Sequence, residues 1–155
     1  MLNHKYNLCY DSKDKEFHDD RLDKEFIEEI ILPKSSNFQT VSWTENPYDK
    51  YDGYYNETKP IQVKNRGLNY SINSFPTTYI DYTAYKDLKD NGLLFIIYPK
   101  DNEVLCYNEK TINNAYMGYV YKDMWSWSEK NKSWYWEKNK KLAELEINKG
   151  KQIKY

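Results

Sequence analysis

Residues 51–66 read YDGYYNETKPIQVKNR. Tyr54-Tyr55 and Ile61-Gln62-Val63-Lys64-Asn65 favour strand, and Asn56 to Lys59 between them is turn-forming, so the stretch predicts two antiparallel strands joined by a tight turn. Asp52 and Lys64 then lie on neighbouring strands. Because side chains alternate along a strand, Gln62 and Lys64 share one face while Ile61 and Val63 share the other. A polar pair on one strand face, backed by apolar neighbours, requires either solvent or a function.

Upstream, DDRLDKEFIEEIILP (19–33) sets Leu22, Phe26, Ile27, Ile30 and Ile31 at helical spacing, and Pro33 closes the pattern, which predicts a helix of about 12 residues. Glu25, Glu28 and Glu29 fall outside its apolar arc, Glu25 and Glu29 nearest the Leu22 side, where an acid can face a site beside the core. FQTVSWT (38–44) favours strand, and ENPYDKYDG (45–53) is a loop leading into Tyr54. Downstream, 67–78 has no clear period and reads as a loop. YIDYTAYKDLKD (79–90) contains a short second helix ended at Asn91-Gly92, LLFIIY (93–98) is a buried strand, and EVLCYN (103–108) returns beside it. The expected fold is α/β, with a mixed, mostly antiparallel sheet flanked by helices. Trp125, Trp127, Trp134 and Trp136 alternate on either side of SEKNKS (128–133), as in a hairpin that packs its indoles on one face. A stacking or partner surface is the other reading of that segment. KNKKLAELEINKGK (138–151) reads as a short charged helix or a frayed end.

With 155 residues the chain fits one domain. Its longest apolar runs, Ile30 to Leu32 and Leu93 to Tyr98, are far shorter than a membrane span. The first residues lack the apolar stretch and cleavage site of a secretory signal, so a cytoplasmic location is expected. Cys9 and Cys106 form neither a metal-binding spacing nor a disulfide framework, and His4 and His18 have no partner at a recognised spacing. The 17 Tyr and 5 Trp are unusual. With 21 Lys against 2 Arg and 16 Asn, codon bias in an AT-rich genome competes with selection for stacking on bases or sugars. The net charge of −1 exerts no global pull on nucleic acid, but residues 11–29 carry nine acids against four bases and 129–155 carry eight Lys against four Glu. A local phosphate-binding patch is therefore open to the C-terminal part.

Hydrolysing a phosphodiester requires a metal to polarise the phosphate and activate a water, and a cation to position the nucleophile. Asp52 with a helix glutamate can offer oxygen ligands to Mg²⁺, and Lys64 can supply the cation. Asp49 and Glu45 in the preceding loop are further carboxylate candidates. The bland alternative is a solvent-facing Lys64 paired with Asp52 across the hairpin, worth a few tenths of a kcal/mol.

Asp52-Gly53, followed after nine residues by Gln62-Val63-Lys64 and preceded by the Glu25 helix, resembles the PD-(D/E)XK (restriction endonuclease-like) nuclease superfamily, closest to the Mrr-type and Holliday-junction resolvase branch. The resemblance spans about residues 20–110, leaving 111–155 as an aromatic and Lys-rich extension of the single domain 1–155. It implies the order helix, strand, strand with Asp, strand with Gln-x-Lys, helix, strand. It also implies Mg²⁺- or Mn²⁺-dependent hydrolysis of DNA, the metal held by Asp52, Glu25, the side-chain oxygen of Gln62 and the backbone carbonyl of Val63. Lys64 would position the water, Glu29 is the second choice for the helix acid, and Lys59, Arg66 and Lys86 would contact phosphates. A homodimer would fit cutting of two strands. Gln62 stands where a carboxylate is commoner, and Pro60 begins its strand. The competing readings are a non-catalytic nucleic-acid- or protein-binding factor on the same scaffold, in a phage or mobile-element setting, and an unrelated aromatic-rich interaction module.

Overall fold

The computed structural model describes residues 1–11, 13–14, 18–34, 41–45, 49–128 and 130–155. In chain order these form α1 (Leu2–Lys5), α2 (Asp20–Phe26), β1 (Val41–Trp43), β2 (Gly53–Tyr55), β3 (Lys59–Asn65), β4 (Thr77–Asp81), α3 (Tyr82–Asn91), β5 (Leu93–Tyr98), β6 (Glu103–Tyr107), α4 (Glu109–Ala115), β7 (Tyr116–Ser128), β8 (Ser133–Glu146) and β9 (Lys151–Lys154). Asp19 caps α2 by accepting from the Arg21 N–H. The helix then widens into a π turn (Ile27–Ile31) and tightens into a 3₁₀ turn (Leu32–Lys34) that contains Pro33. Residues 38–40, expected in the first strand, and 46–48 of the following loop lie outside the described residues.

The fold is α/β, and its main sheet has the order β1-β2-β3-β5-β6-β9. All its pairings are antiparallel except β3 with β5, which run parallel because α3 carries the chain across between them. A three-stranded antiparallel sheet, β4-β8-β7, lies over one face. On the other face Tyr6, Leu8, Phe26, Ile27 and Ile31 from the N-terminal segment pack on Ile61, Leu93, Phe95 and Ile97. The second core sets Leu94, Ile96, Tyr98, Leu105 and Tyr107 against Tyr85, Leu88 and Ile112 of the helices and Ile80, Ala143 and Leu145 of the small sheet. Every residue of β5 is buried, because it is covered from both sides.

Three elements differ from the sequence reading. Residues 77–81 form a strand, β4, where only loop and the approach to a helix were expected. Glu109–Ala115 is a helix whose start is a capping box of Asn108 and Thr111. Residues 138–146 are neither helix nor frayed end but the second half of β8, and β9 then closes the main sheet against β6. Their charge pattern suited a helix, but pairing with β4 and β7 satisfies the backbone and buries Leu142, Ala143 and Leu145. The C-terminal residues are thus part of both sheets. The expected aromatic hairpin forms, with Trp125 opposite Trp136 and Trp127 opposite Trp134.

Candidate functional site

Gly53 brings β1 and β2 close enough for this corner of the sheet to form: a Cβ there would stand 2.7 Å from the Trp43 ring and 2.8 Å from the Ser42 carbonyl oxygen. Asp52, immediately before it, is tied to β3 at two points. Its N–H donates to the Ile61 carbonyl (3.1 Å), and its Oδ2 accepts from the Val63 N–H (2.7 Å). Thr44 secures the same residue from β1, donating through both its backbone N–H (2.9 Å) and its hydroxyl (3.0 Å) to the Asp52 carbonyl.

The register of β3 with β5 decides which way the polar pair faces. Gln62 lies beside Leu94 and Lys64 beside Ile96, and both apolar partners belong to the core under the small sheet. Gln62 and Lys64 therefore face the α3 and small-sheet side. Ile61, beside Leu93, faces the N-terminal helices with Val63. Gln62 Oε1 is shielded from solvent and has no hydrogen-bond partner among the described residues. Lys64 is partly buried, and its side chain makes no hydrogen bond or ion pair among the described residues.

These surroundings shift both ionisable groups. Burial raises the Asp52 pKa, against the opposing pull of the Val63 N–H, Lys24 and Lys64. Burial lowers that of Lys64 and Arg66 lowers it further, while Asp81 and Asp52 oppose the shift. Asp52 and Lys64 thus each influence the other's ionisation. Asp81 and Lys140, neither singled out from the sequence, complete the rim: Lys140 Nζ stands 3.1 Å from Asp81 Oδ1 and donates to Ser126 Oγ at 3.3 Å. Asp81 directly precedes α3, which is an N-cap signal in sequence, but its side chain makes no capping bond.

The helix acids go elsewhere. Asp20 and Lys24, one turn apart on α2, are the helix charges that act on Asp52, and Lys24 Nζ donates to the Thr44 carbonyl (3.2 Å). Glu25 is the next residue, about 100° round the helix. It is exposed, and its field acts on Tyr6 and Arg21. Glu29 accepts from the Tyr6 hydroxyl (2.6 Å), whose pKa is raised to about 12 chiefly by that bond, and Glu28 accepts from Trp43 Nε1 (3.2 Å). Neither Glu25 nor Glu29 joins Asp52, because packing of Phe26 and Ile27 fixes the helix phase with Lys24 on the Asp52 side. Val63 meets Asp52 through its N–H, not through the carbonyl expected to bind metal. Among the described residues no group of three or more His, Cys, Asp or Glu is disposed to hold a metal ion.

The phosphate-contact candidates are also partly engaged. Arg66 donates to Thr78 Oγ1 (3.0 Å) and the Tyr79 carbonyl (2.9 Å), tying the end of β3 to β4. Lys59 Nζ lies 5.4 Å from the Tyr55 ring centre, and Lys86, exposed on α3, lies 6.0 Å from that of Tyr82. Asp49 is exposed and accepts from the Tyr51 N–H (3.3 Å), and Glu45 is exposed. The His18 side chain is buried, and its Nε2 pairs with Asp23 (2.8 Å), which also accepts from Asn65 (3.0 Å).

No family model, curated protein or solved structure matches the chain. The Asp52 corner is thus read from its own geometry. It joins a desolvated carboxylate, an amide oxygen in need of a partner and a lysine with no counter-group in contact, under a rim carrying a carboxylate and a second lysine.

Proposed function

We propose that this protein is a metal-assisted nuclease that hydrolyses phosphodiester bonds in DNA, on a restriction endonuclease-like core. The observation that supports the proposal is that Asp52 accepts from the Val63 N–H, between Gln62 and Lys64 on β3, while among the described residues neither Gln62 Oε1 nor the Lys64 ammonium has a partner. The element order supports it: α2, β1, β2, β3, α3 and β5 follow the sequence of helix, three strands, helix and strand that the resemblance implies, with β4 inserted before α3.

The residues fit a divalent ion of the Mg²⁺ type. That ion binds through one or two carboxylates together with substrate phosphates and keeps several waters, so the Asp52 carboxylate and the orphaned Gln62 Oε1 would hold it with the help of the phosphate itself. When bound, it would polarise the phosphate and lower the pKa of a water. Lys64, held by the strand two residues from Gln62, is suited to orient the attacking water and offset charge on the phosphate.

Incubation with linear duplex, single-stranded, junction and flap DNA in Mg²⁺ or Mn²⁺ tests the proposal. Cleavage is expected, to be lost in EDTA and in both Asp52→Asn and Lys64→Ala. Cleavage that persists in both variants overturns it. The second reading, a binding factor on the same scaffold, is favoured by the exposure of Glu25 and by its field acting on Tyr6 and Arg21 instead of Asp52; DNA binding without cleavage of any of these substrates would select it.

A further inference from the structure

The β7–β8 hairpin carries seven of the eleven large apolar side chains that stand exposed among the described residues. Met117, Tyr119, Tyr121, Trp125, Trp134, Tyr135 and Trp136 are each 43–60% exposed. Trp125 and Trp136 face each other across the strands with ring centres 5.5 Å apart in an edge-to-face contact. Such a pair stabilises a hairpin, yet it leaves 60% of Trp125 and 48% of Trp136 uncovered. Trp134 lies two residues from Trp136, so it projects from the same face. Between residues 130 and 141 the chain carries five lysines, Lys130, Lys132, Lys138, Lys140 and Lys141, against one acid, Glu137.

The hairpin is rooted at the Asp52 corner. Lys140 spans from Asp81 to Ser126 of β7, and its charge reaches Lys64. Nearby lysines already lie on aromatic faces: Lys141 Nζ is 3.9 Å from the Tyr82 ring centre and 4.1 Å from that of Tyr119, and Lys122 Nζ is 4.0 Å from that of Tyr79.

We infer that this arm is a binding track for single-stranded DNA, which holds a strand by stacking bases on Trp125, Trp134 and Trp136, on the strand face opposite to Ser126 and Lys140. The inference rests on the nuclease reading for its choice of substrate. Exposed rings interleaved with lysines match the two needs of single-strand binding, a stacking platform for bases and cations for the backbone. Geometry separates single strands from duplex. Successive rungs on one strand face are about 6.8 Å apart, roughly twice the 3.4 Å rise of stacked bases in duplex DNA. A single strand reaches that spacing by unstacking, whereas a duplex keeps its bases inside.

The test uses the full chain in EDTA, so that cleavage plays no part, with a fluorescein-labelled oligothymidylate of about twenty nucleotides, longer than the roughly 4–16 nucleotides one such binding fold covers. Anisotropy should report binding that weakens with salt. Tryptophan emission should be quenched, since four of the five Trp lie on this hairpin. Trp125→Ala and Trp136→Ala should each weaken binding by about tenfold, the size of one base–aromatic stack, while Phe75→Ala, an exposed ring outside the hairpin, leaves it unchanged. Tyr121→Ala, a lighter change on the same arm, guards against a misfolded hairpin and should weaken binding by a smaller factor. The inference is overturned by no binding, by affinity that ignores all three ring deletions, or by duplex of equal length binding as tightly. Self-association through the Trp face without oligonucleotide binding overturns it too. Arm-dependent binding with no cleavage in Mg²⁺ would sink the nuclease reading alone. Undiminished, Asp52-dependent cutting of single strands by Trp125→Ala/Trp136→Ala would sink only the track.

Discussion

β3 and β5 are parallel neighbours in register, yet they present opposite chemistry to the same layer. Under α3 and the small sheet, β5 offers Leu94 and Ile96, while β3 offers Gln62 and Lys64 at the adjoining positions. On the reverse face the strands agree, with Ile61 beside Leu93 and Val63 beside Phe95. Aliphatic residues at 62 and 64 would simply extend the core. An amide oxygen with no partner among the described residues and a lysine with a lowered pKa cost stability there, and on the proposed reading that cost at alternate positions of one strand serves the site.

The comparison is broken most forcefully from the β5 side. Ile96→Ala removes a fully buried side chain and should cost about 2–5 kcal/mol, read as a lowered denaturant midpoint with unchanged slope. Lys64→Met should act in the opposite direction and stabilise by about 1–2 kcal/mol while abolishing cleavage. Its pH dependence has a definite sign. The Lys64 pKa is lower in the folded than in the unfolded chain, so its penalty is full below the folded value and disappears as pH rises toward the ordinary lysine value of about 10.4. The gain from Lys64→Met is therefore greatest at neutral pH and shrinks in alkali, which thermal melts across pH will follow.

Mg²⁺ should sharpen the contrast further. At ten times its dissociation constant it should stabilise the wild type by about 1.4 kcal/mol, and Asp52→Asn should abolish that shift. The smallest effect belongs to Gln62→Leu, which removes the orphaned oxygen and should stabilise by about 1 kcal/mol or less. In calorimetry, a Gln62→Leu or Lys64→Met protein less stable than wild type would show that β3 carries its polar pair for structural reasons.

Much of this corner was legible from residues 51–66. Period-two alternation put Gln62 and Lys64 on one face, the turn brought Asp52 beside them, and the apolar run 93–98 announced a buried strand. The helix acid was not legible. Local spacing defines an apolar arc, but whether Lys24 or Glu25 turns toward the sheet depends on how Phe26 and Ile27 dock. Residues 138–146 were misread for a related reason: Lys-Lys-Leu-Ala-Glu-Leu-Glu satisfies helical charge pairing locally, and only β4 and β7 on either side make it a strand. Asp81 and Lys140 join the corner through that same small sheet, 59 residues apart in the chain.

The sequence by itself determined the two-strand unit around Asp52 and Lys64, the buried β5–β6 pair and the aromatic hairpin, because alternation, turn chemistry and apolar runs act over a few residues. Only the tertiary structure decided which face of the main sheet receives Gln62 and Lys64, which charges surround them and that the aromatic arm starts beside them. Those outcomes depend on the packing of two layers onto one sheet, and no local pattern encodes the contact between residues that meet only after both layers close.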